Sequence, residues 1–296
     1  MSNGVAALSQ SLAGIVETTG RSVVRVEGRQ RRPASGIVWD KNRVITALHV
    51  VDGSDELVVV HEGKELKAKV KGKDPTRDLA LLEIEGELPV AAFDDGEKLK
   101  VGNFVLHLAR PGETVRATFG IVSGQGVKPW RTPRGGVVDR FLESDAPHQP
   151  GFSGGPAVGL DGRVLGLSTS GLLRGQSVII PTPTLRKVIP ELEAHGTPRQ
   201  SWLGVQMQPA RVPDEVKAAT GDEIGLVVLS VSKGGPADKA GIKYGDTLLH
   251  LGDDTVKTLD DLYGYLRADH VGQTVPAKVW RAGKVETLNI TLEAKP

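Results

Sequence analysis

The chain has no cysteine among its 296 residues. That excludes a disulfide framework, a thiolate metal site and a cysteine nucleophile, and it leaves the redox compartment open. No run reaches the roughly 20 apolar residues that a helix needs to span a bilayer, so no membrane span is expected. No secretory leader is expected from the opening MSNGVAALSQSLAGIVETTG, which has neither a basic start nor a sustained apolar core. As it stands the sequence reads as cytoplasmic. A periplasmic or membrane-anchored chain shorn of its leader would read the same way. Charge of one sign is not in excess: the formal net charge is +1, with no acidic or basic tail, which argues against nucleic acid as a partner. The basic stretch GRQRRP at 28–33 reads as a solvated hairpin tip. Repeats, low-complexity tracts and a phosphate-cradling Gly–Lys motif are also absent, so ATP-driven chemistry is not expected. The sequence calls for no cofactor and no metal.

What is present is ordinary globular composition, 39% hydrophobic and 25% charged, with 37 glycines and 18 prolines that suit many short strands and turns. The length allows about two domains. Val5, Leu8, Leu12, Ile15 and Val16 recur at helical spacing, which predicts an amphipathic helix within an N-terminal segment, 1–20, that packs on its own domain or on a neighbouring subunit. From residue 21 the texture turns to short β runs punctuated by Gly, Asp, Asn and Pro, in two sets of similar size. We read a mostly β domain of two successive barrels over 21–195, closed by a helix in TPTLRKVIPELEAHG with Gly196 as its stop. A short polar linker, 196–200, precedes a separate domain at 201–296. There the order is strand, strand, short helix, strand, longer helix, strand, strand.

One stretch, HQPGFSGGPAVG at 148–159, surrounds Ser153 with glycines. Alone this fits a surface loop. It also fits a nucleophile, because glycines at 151, 154 and 155 allow a turn that aims the N–H groups of Gly151 and Ser153 at one point, as an oxyanion hole requires. A serine nucleophile needs a base and the base needs an orienting partner. Among seven histidines, His49 ends the buried-strand pattern VITALHVV, a position that holds an imidazole at the edge of a core. His148, five residues before Ser153, is read as pointing elsewhere in a substrate-side loop. Of two carboxylates in KDPTRDLALLEI, Asp74 precedes Pro75 and reads as a turn residue. Asp78 starts the strand and is brought inward. His49, Asp78 and Ser153 follow in that chain order across the two barrels.

VITALHVV, DPTRDLALLEI, GIVSG, PGFSGGP and GLSTSG together resemble the trypsin-like serine proteases of the HtrA (DegP/DegS-like) branch. WLGVQM and GPADKAGIKYGDTLLHLGD resemble the PDZ domain that follows in that family. The resemblance covers nearly the whole chain from about residue 20. It implies a trypsin-like double β-barrel followed by a PDZ domain, an α+β sandwich or partial barrel. It further implies His49 as general base, Asp78 as orienting carboxylate, Ser153 as nucleophile, and the Gly151 and Ser153 N–H groups as oxyanion hole. Leu167, Ser168, Thr169 and Ser170 would form the strand along which substrate lies. In SWLGV, the N–H groups around Leu203, Gly204 and Val205 would capture a terminal carboxylate, the strand to Met207 would pair with the peptide, and Trp202 would favour apolar C-termini. In LDDLYGYLRAD, Leu262 and Leu266 either line the groove or pack in the core.

The sequence departs from the family at Phe152, where the family carries Asn and trypsin an Asp that pairs with a freed N-terminus. His148–Gln149–Pro150, Leu48 and the loop QGVKPWRTPRGG depart as well. The function implied is an ATP-independent serine endopeptidase acting on unfolded or misfolded protein, in quality control and stress response, with its PDZ domain docking apolar C-termini and its N-terminal segment assembling a homotrimer. Absence of charge near the pocket suggests cleavage after small or medium apolar residues. Two other classes stay open at this point: a silent protease-like scaffold that holds partner C-termini, and an esterase, whose Gly-x-Ser-x-Gly spacing GFSGG matches but whose chain order, Ser, Asp, His, does not.

Overall fold

The computed structural model describes residues 2–28, 33–54, 57–173, 176–199, 201–266 and 270–295. Apart from its two ends, the expected hairpin tip at 28–33 lies outside the described residues. The chain divides into two compact units, Met1–Pro198 and Arg199–Pro296.

The first unit opens with helix α1 (Ser2–Gly20). Strands β1 (Val23–Glu27), β2 (Ala34–Asp40) and β3 (Arg43–Ala47) follow, then the four-residue helix α2 (Leu48–Val51). Strands β4 (Leu57–His61), β5 (Lys64–Asp74) and β6 (Leu79–Ile84) complete a closed barrel of order β1-β2-β3-β6-β5-β4. Next come β7 (Phe104–Ala109), β8 (Arg116–Gln125) and a separate hairpin of β9 (Trp130–Arg131) and β10 (Val137–Val138). Strands β11 (Leu142–Ser144), β12 (Pro156–Val158), β13 (Val164–Thr169) and β14 (Ser177–Pro181) join β7 and β8 in a second closed barrel. The mostly β double barrel expected from the sequence is thus observed.

The two barrels are locked together by residues that face out of each. Val24, Val38, Val44, Val59, Leu66 and Leu82 fill the first barrel. Ile37, Ile45, Leu79 and Leu81, on the opposite faces of β2, β3 and β6, meet Val164, Leu167 and Ile180 of the second in one continuous cluster. A strand buried on both faces reads as an unbroken apolar run, which is why β6 has the sequence LALLEI. Helix α3 (Thr182–His195) adds Leu185, Val188 and Leu192 to this cluster and ends at Gly196, whose φ of +73° is the left-handed cap that glycine supplies. Arg43 on β3 grips its far end through a two-pronged contact with Glu193, 2.8 and 2.7 Å.

The predicted apolar stripe of α1 divides. Leu12, Ile15 and Val16 pack against Val23, Leu106, Leu108 and Val158, whereas Val5 and Leu8 face solvent, 73% and 37% exposed. Buried Arg110 ties the junction by donating from Nη2 to Gly20 O at 3.0 Å and from Nε to Val23 O at 2.8 Å.

His107 on β7 is fully enclosed, with Nδ1 2.8 Å from Ser168 Oγ and no partner for Nε2 among the described residues. Burial pushes its pKa down to about 3. The unfolded chain therefore takes up this proton first. Stability is whole above pH ~6.5 and falls by up to about 1.4 kcal/mol per pH unit below it, towards the folded value. Urea midpoints should drop between pH 7 and pH 5, and His107→Asn should shrink that drop; wild-type midpoints that coincide would contradict this.

The second unit holds β15 (Ser201–Trp202), β16 (Val205–Arg211), α4 (Asp214–Thr220), β17 (Ile224–Val231), α5 (Pro236–Lys239) and β18 (Thr247–Leu251). It continues with β19 (Asp254–Thr255), α6 (Leu259–Tyr265), β20 (Thr274–Arg281), β21 (Lys284–Thr291) and β22 (Glu293–Ala294). Its main sheet runs β16-β17-β18-β20-β21, with β19 on β18, and β15 pairs with β22. Helix α4 is additional to the predicted order. Its signals are nonetheless in the sequence, with Pro213 before it and Gly221, at φ +78°, after it. Helix α6 starts on a capping box: Thr258 accepts from Asp261 N, and Asp261 accepts from Thr258 N.

Candidate active site

Asp74 begins the construction. It is buried at the end of β5, where its Oδ1 accepts from Thr76 N, Thr76 Oγ1 and Arg77 N at 2.9, 2.6 and 3.2 Å, and Arg77 Nη1 reaches Oδ2 at 2.7 Å. It is the turn residue the sequence suggested. The turn it closes delivers Asp78 in a left-handed conformation, φ +58°, immediately before β6. The β9–β10 hairpin, part of the loop of unusual composition, docks on the same turn: Thr132 Oγ1 donates to Thr76 O and Arg77 Nε to Val137 O, both at 2.6 Å.

Asp78 is fully buried, and all its acceptor capacity points at one neighbour set. His49, on α2, offers its ring Nδ1 to Oδ2 at 2.7 Å and its backbone N–H to Oδ1 at 2.9 Å. Thr169 Oγ1 donates to Oδ2 at 2.5 Å, and Arg134 Nη1 stands 4.0 Å from Oδ1. The arrangement tolerates no side chain at Gly171, where a Cβ would lie 2.2 Å from Asp78 Oδ2 and 2.8 Å from His49 Nδ1. With Nδ1 turned to the carboxylate, Nε2 is the ring nitrogen placed to exchange a proton with a substrate-side group.

Ser153 precedes β12 in the second barrel and is 5% exposed. Gln149–Pro150–Gly151–Phe152 forms a tight turn in which Phe152 N donates to Gln149 O at 3.1 Å and Gly151 has φ +91°. Proline second and a positive-φ glycine third are the requirements of a type II turn. No acceptor among the described residues takes the N–H of Gly151 or Ser153. Two donors are thereby left available beside the hydroxyl. Ser35 Oγ clamps the turn by donating to Gly151 O at 2.8 Å, and Phe152 is buried beneath it, 1% exposed. Gly154 holds φ +87°, with a Cβ position only 2.1 Å from Ser35 O. Gly154→Ala combines backbone strain with overpacking and should cost about 2–5 kcal/mol, measurable as a lower urea midpoint.

His49 and Ser153 line the same cleft of about 710 Å³ with Gly151 and Ser170. Among the described residues the hydrogen bonds at Ser153 Oγ run to His148 Nε2, 3.1 Å, and Ser170 Oγ, 3.2 Å. His148 therefore does not point elsewhere, as its spacing suggested. The type II turn reverses the chain between 148 and 153 and folds the ring back over the hydroxyl. Burial, then the nearby His49, holds its pKa at about 4, so it is neutral near pH 7.

The expected substrate strand needs correction. Leu167 pairs with Pro156 on one side and Ile180 on the other, and Ser168 is bonded to Gly154 N and Gly155 O as well as paired with Ile179. Neither offers an open edge. Thr169 and Ser170 lie beyond the end of the β12 pairing, with the Thr169 hydroxyl committed to Asp78.

In the second unit, Leu203 is buried and Gly204 has φ +79°. The carbonyls of Leu203 and Gly204 accept from Ala237 N and Ser232 N, 2.9 and 2.8 Å, while no acceptor among the described residues takes either residue's own N–H. The Trp202 ring packs over Gly204 and Gly235. Strand β16, which starts at Val205, is an edge strand paired among the described residues with β17 alone, and α6 lies beside it. Met207 and Leu262 are 7% and 4% exposed within the unit's core, so core packing is what Leu262 does; Leu266 is half-buried at the end of α6. The last residues of the predicted helix, 267–269, lie outside the described residues.

Comparison with known proteins agrees with this geometry. Residues 34–167 match the trypsin-like peptidase domain and residues 201–292 the PDZ domain. A probable periplasmic serine endoprotease DegP-like of Brucella suis is 37% identical over 286 residues, covering 91% of this chain and 54% of its own. The corresponding protein of Rhizobium meliloti is 36% identical over 286 residues, covering 92% and 56%. The chain thus spans about half the length of these curated relatives. Among solved structures, the serine endoprotease from Yersinia pestis superposes with a TM-score of 0.76 at 26% identity, over 95% of this chain and 97% of that one. The HtrA-type protease AlgW with decapeptide superposes at 0.78 and 23% identity, over 96% and 98%, a likeness of fold. With the trypsin-like barrels and the PDZ domain in one chain, and these relatives along nearly all of it, the chain belongs to the HtrA (DegP-like) family of trypsin-like serine proteases.

Proposed function

We propose that this chain is an ATP-independent serine endopeptidase acting on unfolded or misfolded protein, with Ser153 as nucleophile, His49 as base and Asp78 as the orienting carboxylate. The observation that carries this reading is the 2.7 Å contact from His49 Nδ1 to buried Asp78, placed in the same cleft as Ser153 and two available N–H groups. On substrate binding the Ser153 hydroxyl turns towards His49 Nε2, gives up its proton there, and its oxygen bonds the scissile carbonyl carbon. The Gly151 and Ser153 N–H groups receive the oxyanion. His49 returns the proton to the leaving amine, and water repeats the sequence on the acyl-enzyme.

The edge of β16 and the loop at 202–205 suit capture of an apolar C-terminus by strand addition. We assign the PDZ role to that surface, and homotrimer assembly to the N-terminal segment, whose Val5 and Leu8 are exposed. Relatives named periplasmic support that compartment for this chain and lend nothing to the cytoplasmic reading. No helix among the described residues is long and apolar enough to cross a membrane.

A fluorophosphonate probe should label folded wild-type protein at Ser153, and casein should be cleaved without ATP. A folded protein that stays unlabelled and leaves casein intact would instead be a peptide-holding scaffold.

A further inference from the structure

The cleft beside Ser153 has an unusual wall. His148 bridges it, with Nε2 at 3.1 Å from Ser153 Oγ and Nδ1 at 3.1 Å from Ser177 Oγ on β14. Its ring also meets Phe152 edge-on, centroids 6.3 Å apart, which fixes its plane. Ser144, Ala146, Ser170 and Ser177 line the same cleft, and none of these four carries an aliphatic chain beyond Cβ. The two acids of the cleft turn towards β8: Asp145 Oδ1 accepts from Ile121 N at 2.7 Å, and Glu143 Oε2 lies against Gly124. What faces Ser153 is therefore uncharged but dense in hydrogen-bonding groups. A neutral imidazole held between two hydroxyls has one donor and one acceptor to give.

Resting on the endopeptidase reading, we propose that His148 sets cleavage preference. It selects an uncharged hydrogen-bonding side chain, hydroxyl or carboxamide, on the acyl side of the scissile bond, and turns away branched aliphatic side chains. This replaces the aliphatic preference expected from the sequence. An apolar side chain seated here strands the polar groups of His148 and Ser177 without water or partner, whereas a hydroxyl or amide takes over the bonds the ring now makes. Substrate entry thereby competes with the His148–Ser153 contact and frees the nucleophile.

The test uses four fluorogenic peptides that differ only at that residue, Gln, Thr, Leu or Val, with wild type, His148→Ala and His148→Gln. Wild type should cleave the Gln and Thr peptides at least about tenfold faster in kcat/KM than the Leu and Val peptides. His148→Ala should erase or invert that ratio, and His148→Gln should keep it. A wild-type preference for Leu or Val overturns the proposal, and so does a ratio unmoved in His148→Ala. If His148→Ala does not fold, the wild-type ranking and the His148→Gln ratio decide. Fluorophosphonate labelling in parallel separates the two failures: a labelled enzyme with the wrong ratio sinks this proposal alone, and an unlabelled, inert protein takes the endopeptidase reading down with it.

Discussion

Ser153→Ala lowers the rate of peptide hydrolysis on the order of 10^6-fold and leaves the fold intact; that is the largest effect we expect from any single substitution. The argument is local. Among the described residues Ser153 Oγ hydrogen-bonds to His148 and Ser170, at 3.1 and 3.2 Å, and the backbone bonds of its turn, including Ser35 N to Ser153 O at 3.2 Å, do not involve the hydroxyl. Deleting one oxygen removes two long hydrogen bonds, about 1 kcal/mol each at most, and does not disturb φ at Gly151 or Gly154. The chemistry loses its attacking atom while the oxyanion donors and the cleft remain. The measurement is casein or peptide turnover alongside the urea midpoint. A variant that keeps more than about a hundredth of the activity contradicts the assignment, since no bypass of a covalent step retains that much. Loss of activity together with a collapsed midpoint would point to a structural role instead.

Asp78→Asn is expected to cost about 10^4 in kcat, for a different reason. Three donors converge on the carboxylate: His49 Nδ1, His49 N and Thr169 Oγ1. A carboxylate accepts from all of them. An amide presents one oxygen and one NH2, so at least one donor then faces another donor in a fully buried site. The cheapest escape is for His49 to change tautomer, accepting at Nδ1 and carrying its proton on Nε2, where it can no longer take one from Ser153. The variant should remain folded, with its unfolding free energy lowered by about 1–3 kcal/mol for the mismatched donor. Steady-state kinetics that fall by less than tenfold would show that Asp78 does not set the tautomer.

Much of the site was legible from residue types and order. A carboxylate at the head of LALLEI, a histidine at the end of VITALHVV and a serine among glycines are each ambiguous, yet their order across two barrels is not. What escaped the sequence depends on pairing and reversal. Pro150–Gly151 signals a type II turn, and that reversal, rather than the five-residue spacing, decides where His148 points. Leu167 and Ser168 lost their expected role because whether a strand edge is open is decided by neighbours distant in sequence, here β12 and β14. Spacing at i and i+4 could not tell whether Leu262 lines a groove or fills a core, since both uses demand the same periodicity. Helix α4, by contrast, has both of its signals in the sequence, Pro213 before it and Gly221 after it.

The apolar cluster shared by Ile37, Ile45, Leu79 and Leu81 with Val164, Leu167 and Ile180 has a consequence for how such a molecule ages. The imidazole and its acid ride on one half, the hydroxyl on the other, and this seam, with the Thr169–Asp78 and Ser35–Gly151 bonds that cross it, sets their spacing. A copy whose halves loosen through heat or wear is disarmed in the same event. On the endopeptidase reading, wear therefore silences such a copy rather than blunting its selectivity.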